Sequence, residues 1–222
     1  MDATISKWNE LHEQERFKPK YPSEIVVQYV FQNFPRNKNF KILDMGAGGG
    51  RHSFFMAQEG YDVFASDVSE TGIDFIKKQS VHLNLKIDAK VQSATMLDYP
   101  NNTFDGCLSF GVIYYLLKEE GRKIVNEIHR VLKPGGKALI FVKGMEDHRF
   151  GKGQEIEKNT FIYDGENSNQ TEGETGMTLH FYSRDELIEL MNTFSEVSID
   201  QINQTISNGR FLESNFIVTV KK

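Results

Sequence analysis

Residues 41–53 read Lys-Ile-Leu-Asp-Met-Gly-Ala-Gly-Gly-Gly-Arg-His-Ser, a glycine-rich run that directly follows an apolar segment. Ile42 and Leu43 predict the end of a buried strand, and the residues after Gly50 predict the start of a helix. Glycines at such a strand-to-helix turn let backbone N–H groups approach a ligand, because no side chain crowds them. The turn therefore predicts a binding site for a nucleotide-like ligand.

Predicted strands and helices alternate along the chain from residue 40 to residue 142. Strands are predicted near 40–45, 62–66, 86–92, 104–110 and 137–142, with helices between them. This alternation predicts a mostly parallel, doubly wound sheet with helices on both faces, whose strand carboxyl ends share one ligand-binding edge. Two β-rich runs, 197–206 and 211–220, are joined by Asn208-Gly209, which is typical of an antiparallel hairpin. The expected fold is α/β with seven strands, ending in antiparallel pairing.

The chain is predicted to form one domain with four parts. These are an N-terminal helical lid (1–36), a binding core (37–143), an inserted segment over the site (144–182), and a closing helix with the antiparallel strands (183–222). The insertion is rich in Gly, Glu, Asn and Thr and shows no strong periodicity, which is typical of a functional lid.

Composition indicates a globular protein with a small partner. Hydrophobic residues make up 39% of the chain and charged residues 26%, and Cys107 is the single cysteine. No apolar run is long enough to cross a membrane, and no secretory signal is recognisable, so a cytoplasmic protein without a membrane partner is expected. The net charge of −5 argues against bulk nucleic acid. We expect a small-molecule substrate, no metal, and a monomer or homodimer.

Two aspartates narrow the choice of ligand. A dinucleotide turn binds a pyrophosphate and requires Gly-x-Gly-x-x-Gly, whereas here Asp44 precedes the turn and Arg51 occupies the sixth position counted from Gly46. S-adenosylmethionine has no phosphate, and its sulfonium and amino groups favour a nearby carboxylate. Asp67 ends the second strand, where a carboxylate can accept hydrogen bonds from both ribose hydroxyls.

Residues 41–142 resemble the core of the class I S-adenosylmethionine-dependent methyltransferases. The matching motifs are Ile-Leu-Asp-x-Gly-x-Gly-x-Gly, the acid at 67, Leu97 followed by Asn-Asn-Thr-Phe-Asp, and Arg-Val-Leu-Lys-Pro-Gly-Gly at 130–136. The segment from Gly50 to Val63 is similar to the small-molecule branch of that family. The resemblance implies a Rossmann-like fold and S-adenosyl-L-methionine as the cofactor.

The resemblance also implies a set of cofactor-binding residues. Those beside the methionine and ribose are Asp44, Gly46, Ala47, Gly48 and Asp67, and those near the adenine and the far side are Val68, Ser93, Ala94, Thr95 and Phe110. Many relatives carry Asp where this chain has Ser93, and a serine hydroxyl accepts a hydrogen bond more weakly than a carboxylate.

The residues that contact the methyl acceptor are predicted from their positions in the sequence alone. Direct in-line transfer needs alignment and exclusion of water, and no side chain is identified as catalytic. Candidate acceptor contacts are Trp8, Tyr21, Tyr114, Tyr115, His148, Arg149 and His180, each of which has packing or surface exposure as its alternative role. Arg149, Lys152 and Lys158 suggest an acidic acceptor.

Two other functions are weighed against methyl transfer. The chain could bind the cofactor without turning it over, because its acceptor side has no distinctive motif. An NAD(P)-dependent reductase is suggested only by Tyr114 and Lys118, which stand four residues apart but directly after the fourth strand.

Overall fold

The computed structural model describes residues 2–36, 39–165 and 173–222. The helices are α1 (Asp2–Glu13), α2 (Glu24–Asn33), α3 (Arg51–Gln58), α4 (Glu70–His82), α5 (Lys118–Val131) and α6 (Arg184–Leu190). The strands are β1 (Lys41–Met45), β2 (Asp62–Asp67), β3 (Ile87–Val91), β4 (Phe104–Phe110), β5 (Leu132–Lys143), β6 (Gln154–Glu157), β7 (Thr160–Ile162), β8 (Thr178–His180), β9 (Glu196–Ile206) and β10 (Phe211–Lys221).

Seven strands form the main sheet in the order β3-β2-β1-β4-β5-β10-β9. β1 pairs in parallel with β2 and β4, and β10 pairs antiparallel with both β5 and β9. The strand order reverses at β1, so the turn after β1 lies where open α/β sheets bind ligands. The predicted fold, including its antiparallel end, is confirmed.

Side-chain alternation along the strands builds a core on each face of the sheet. Ile42 and Leu108 pack with buried residues of α2 and α3, whereas Leu43 and Cys107 pack with buried residues of α5 and α6. Successive strand residues point to opposite faces, which explains why neighbours in sequence join different clusters. Cys107 is a free thiol and is buried.

Two segments differ from the expectations. The Lys-Pro-Gly-Gly run at 133–136 lies inside β5, which begins at Leu132 and changes register with β4 between Phe104 and Gly106. The insertion, predicted without regular structure, contributes a second antiparallel sheet in the order β6-β7-β8. Its strands have three or four residues each, too few for a period to show in the sequence.

The division into four parts remains a prediction, and residues 166–172 of the insertion lie outside the described residues. Among the residues that the structure describes, no helix combines the length and apolar character needed to cross a bilayer.

Candidate cofactor and acceptor site

The glycine turn is held against the end of β2 by its own backbone. The N–H groups of Gly46 and Ala47 both donate to the carbonyl of Ser66, at 2.7 and 2.9 Å. Gly46 has a φ of +70°, and a Cβ there would lie 2.2 Å from Cγ2 of Val112. Both the left-handed backbone and the close approach of Val112 require glycine at this position.

Asp67 is oriented by two backbone donors. Its Oδ2 accepts from the N–H of Gly48 and its Oδ1 from the N–H of Ser69, both at 2.8 Å. The carboxylate also lines the cavity described below. Each carboxylate oxygen has a further lone pair, which can accept a hydrogen bond from a ribose hydroxyl.

Asp44 lies behind the turn, in the core. Its Oδ2 accepts a 2.6 Å hydrogen bond from the Ser53 hydroxyl. Burial raises the pKa of Asp44 to about 6, although the Ser53 hydrogen bond and the charge of Arg51 both oppose that rise. The residue therefore contributes a buried carboxylate behind the binding turn.

A cavity of about 400 Å³ opens at the carboxyl ends of the central strands. It brings together part of the predicted site: Trp8, Gly46, Gly48, Asp67, Val68, Ser93, Ala94, Thr95 and Tyr115. Within the loop that follows β3, the Ser93 and Thr95 hydroxyls are 2.8 Å apart and hydrogen-bonded to each other. Phe110 stacks on Phe141, with ring centroids 4.2 Å apart, instead of lining the cavity.

His12 is a site residue that the sequence analysis missed. It lines the cavity, is 5% exposed, and its Nδ1 has no hydrogen-bond partner among the described residues. Its Nε2 lies 3.1 Å from the position that a Cβ on Gly48 would take. Burial lowers the pKa of His12 despite the nearby charge of Asp67, so the ring is neutral at pH 7. Its spacing in the sequence could have identified it, because His12 follows Trp8 by four residues and therefore lies on the same face of α1.

Several acceptor candidates lie away from the cavity. Tyr21 is 72% exposed. His148 packs against Phe211, with ring centroids 4.9 Å apart, and its Nδ1 lies 3.1 Å from the carbonyl of Leu212. His180 is fully buried between the Thr160 hydroxyl at 2.7 Å and Glu186 at 3.1 Å.

Arg149 is buried and already engaged by carboxylates of the protein. Its Nε and Nη2 donate to Asp147 at 2.7 and 2.8 Å, and its Nη1 donates to Glu174 at 2.9 Å. The guanidinium is 3% exposed. Its position therefore gives no support to pairing with an acidic acceptor.

The cavity suits S-adenosylmethionine in three respects. The glycine turn is a cradle that a side chain would fill, His12 has an unpartnered buried nitrogen, and the carboxylates of Asp67 and Glu120 line the wall. Lys and Arg are missing from the described lining residues. A wall with carboxylates and without cationic side chains favours a ligand that carries positive charge.

Comparisons with known proteins agree with this geometry. Residues 43–140 match the family described as methyltransferase domain. The chain is 34% identical over 101 residues to phosphoethanolamine N-methyltransferase 3 of Arabidopsis thaliana, a match that covers 45% of this chain and 20% of that protein. It is 24% identical over 210 residues to the tRNA N(3)-cytidine methyltransferase METTL2 of Gallus gallus, which covers 89% of this chain and 53% of that one. The chain thus spans a fifth to a half of the length of these relatives.

The predicted absence of a nucleic-acid partner is wrong in light of the METTL2 match. That relative is named for tRNA and is similar over most of the chain. The prediction rested on the net charge, which is a sum over the whole chain and does not describe any local surface.

A solved structure supports the fold. The S-adenosylmethionine-dependent methyltransferase of Methanosarcina mazei superposes with a TM-score of 0.72 at 22% identity, covering 91% of this chain and 98% of that one. The family match, the strand order and the glycine cradle lead to one conclusion. Residues 43–140 match a methyltransferase domain, and the chain has the fold and the S-adenosylmethionine cofactor predicted from its resemblance to the class I methyltransferases.

Proposed function

We propose that the protein transfers a methyl group from S-adenosylmethionine to a small-molecule nucleophile. The observation that carries this proposal is the cavity of about 400 Å³ at the carboxyl edge of the sheet, which is lined by Asp67, glycines of the turn, Trp8 and Tyr115. When bound, the cofactor supplies a methyl group on a positively charged sulfur, which a nucleophile can displace in line. The protein then has to bind, align and exclude water.

The residues of the cavity divide this work. Asp67, fixed by the N–H groups of Gly48 and Ser69, would hold the ribose. The turn at Gly46 and Gly48 would lie against the methionine part. Trp8 packs edge-on against Tyr115, with ring centroids 4.9 Å apart, and the pair would exclude water above the reacting atoms.

The enclosed shape of the cavity favours a small-molecule acceptor. Residues of α1 and of the insertion, such as Trp8, Ile156 and Thr178, line the same cavity as the glycine turn. A cavity that is lined by three parts of the chain favours a small ligand that fits entirely inside it. The name of the Arabidopsis relative, which acts on phosphoethanolamine, supports the same class.

A tRNA nucleoside is the second candidate acceptor. It is favoured by the extent of the METTL2 match, which covers 89% of this chain. A cytoplasmic location is part of the proposal for either acceptor.

Labelled methyl transfer would separate these functions. The protein would be incubated with S-adenosylmethionine carrying a tritiated methyl group, together with phosphoethanolamine, a small-molecule cell extract, or total tRNA, and with Asp67→Ala as the matched inactive control. Label in the small-molecule fractions is the expected result, and label in tRNA alone would assign the second acceptor. If S-adenosylhomocysteine raised the melting temperature but no fraction gained label, the protein would be a cofactor-binding protein without turnover. Stabilisation by NADPH instead would indicate a reductase.

A further inference from the structure

Two tyrosine hydroxyls and a carboxylate form a chain of hydrogen bonds beside the cavity. Tyr114 donates to the hydroxyl of Tyr115 over 3.4 Å, and Tyr115 donates to Oε1 of Glu174 over 2.8 Å. Tyr114 and Tyr115 lie in the short turn between β4 and α5, whereas Glu174 belongs to the insertion. The chain therefore begins at the edge of the sheet and ends in the segment that covers it.

The hydrogen-bond chain meets the cavity at Tyr115, which lines it, whereas Tyr114 is not among the lining residues. The hydroxyl of Tyr114 lies 3.3 Å from the position that a Cβ on Gly111 would take, and Gly111 lines the cavity at the end of β4. The ring of Tyr115 lines the same cavity. Tyr115 is therefore the member of the hydrogen-bond chain that a nucleophile bound in the cavity can contact.

The far end of the chain is held in place by buried charges. Arg149 donates to Glu174 at 2.9 Å and is itself fixed by Asp147 through two nitrogens. Glu213 lies 3.5 Å from the same guanidinium, and the ammonium of Lys143 lies 4.8 Å above the ring of Tyr114. Three carboxylates thus share two cations, so the surroundings do not neutralise all of the negative charge in this cluster.

The tyrosines cannot be the final base. Burial raises the pKa of both Tyr114 and Tyr115 above the ordinary value of 10, so both phenols stay protonated at neutral pH. A protonated phenol can still pass a proton along, because its oxygen accepts one while its hydrogen leaves. The carboxylate of Glu174 is the group in the chain that can keep the proton.

We propose that Tyr115 and Glu174, with Tyr114 as the residue that positions the Tyr115 hydroxyl, are a proton relay for the methyl acceptor, which would be a compound that loses a proton from its nucleophilic oxygen or nitrogen. This inference rests on the proposed function. The acceptor proton moves to the oxygen of Tyr115, and the Tyr115 proton moves to Glu174, which becomes a neutral acid, while Tyr114 keeps its hydrogen bond to the Tyr115 oxygen. Meanwhile the nucleophile forms its bond to the methyl carbon, and the carbon–sulfur bond breaks with its electron pair left on sulfur.

The kinetic test compares Glu174→Gln and Tyr115→Phe with wild type, and with Glu155→Gln as a control from an exposed carboxylate of the same insertion. The acceptors are phosphoethanolamine and catechol, which offer an amine and a hydroxyl. We expect kcat to fall on the order of 100-fold in both variants, as for loss of general-base assistance. KM and the Kd for S-adenosylhomocysteine should stay within twofold in both variants. A kcat within threefold of wild type, or an equal loss of cofactor affinity, would overturn the relay.

A second measurement does not depend on knowing the acceptor. Sinefungin carries an amine where the transferred methyl of the cofactor would stand, whereas S-adenosylhomocysteine has neither group. If Glu174 acts on that position, Glu174→Gln should weaken sinefungin at least tenfold relative to S-adenosylhomocysteine in calorimetric titrations. An unchanged ratio would refute the relay, even if neither acceptor were methylated. Absence of methyl transfer by the wild type to every acceptor class would count against the proposed function alone.

Discussion

Asp44 is a buried residue whose charge depends on pH within an accessible range. It is 1% exposed, and its Oδ2 accepts the Ser53 hydroxyl hydrogen bond. The protonation state of this carboxyl group, which lies behind the glycine turn, therefore affects the stability of the fold.

The pH dependence of stability should change in Asp44→Asn. Burial raises the folded pKa of Asp44 from 3.8 to about 6, so between these values the native state holds a proton that the unfolded chain has released. Stability from this group is therefore present below about pH 4 and is lost as pH rises to about 6. Relative to wild type, the variant should gain up to about 3 kcal/mol between pH 4 and pH 7. Urea unfolding at both pH values measures it, and a constant difference between the two proteins would contradict it.

Gly46 and Gly60 form a matched pair for testing the cradle. Both have positive φ values, +70° and +91°, but a Cβ would meet Val112 at 2.2 Å in the first and nothing within 4 Å in the second. Gly60→Ala should cost about 1 kcal/mol for the backbone alone, and Gly46→Ala at least about 2 kcal/mol more because of the clash. Thermal unfolding and calorimetric binding of S-adenosylhomocysteine would report both effects. Equal losses in the two variants would show that the approach of Val112 is unimportant.

At the scale of an element, α5 positions the loop that follows β3. Arg130, in the last turn of α5, donates to the carbonyls of Leu97 and Tyr99 at 3.0 and 2.6 Å. It also pairs with Glu127 at 2.6 Å, and Glu127 accepts from the N–H of Leu97 at 2.7 Å. The loop that contains Ser93, Ala94 and Thr95 is thereby fixed by a helix on one face of the sheet.

Arg130→Ala should weaken cofactor binding even though Arg130 does not line the cavity. Loss of the five hydrogen bonds of the Arg130 side chain leaves two loop carbonyls without their donor, so S-adenosylhomocysteine affinity should fall about three- to tenfold, with a stability loss of about 1–3 kcal/mol. Arg122→Ala, on the same helix, is the control, because Arg122 is 53% exposed and stands 3.9 Å from Glu119. The idea fails if both variants bind the cofactor as wild type does.

The elements were predictable where local sequence decides them. The glycine turn, the positions of the main-sheet strands other than the start of β5, and the Asn208-Gly209 hairpin follow from residues within a few positions of one another, and the structure has them. The sheet of the insertion was missed because its pairing, such as Phe161 with Leu179, joins residues far apart in sequence. His12 was missed for the same reason, because its role depends on how α1 docks over Gly48 and Gly72.

At the scale of the whole molecule, buried charges join the insertion to the rest of the fold. Arg149 connects Asp147, Glu174 and, at 3.5 Å, Glu213 of β10. The sequence showed Arg149 as one charge in a polar segment, and nothing nearby in sequence revealed that Glu174 and Glu213 face it.

Arg149→Ala should destabilise the protein strongly. The change leaves the buried Asp147 and the partly buried Glu174 without their cation, which costs about 3–5 kcal/mol for a buried pair broken on one side. Thermal unfolding should show the loss, and limited proteolysis should cut the insertion faster than in wild type. Lys158→Ala removes an exposed charge from the same insertion and should change neither. Similar melting temperatures for the two variants would rule out the buried network as a stabilising link.

The position of β10 between β5 and β9 has a consequence for how the protein is made. β5 is complete when residue 143 leaves the ribosome, but its outer hydrogen-bonding partner is β10, which follows the insertion, α6 and β9. Until then the growing chain exposes an open edge of an apolar strand, which is prone to pair with other chains. Synthesis that pauses after β9 should therefore leave an aggregation-prone nascent chain, and chaperone demand should end with the synthesis of β10.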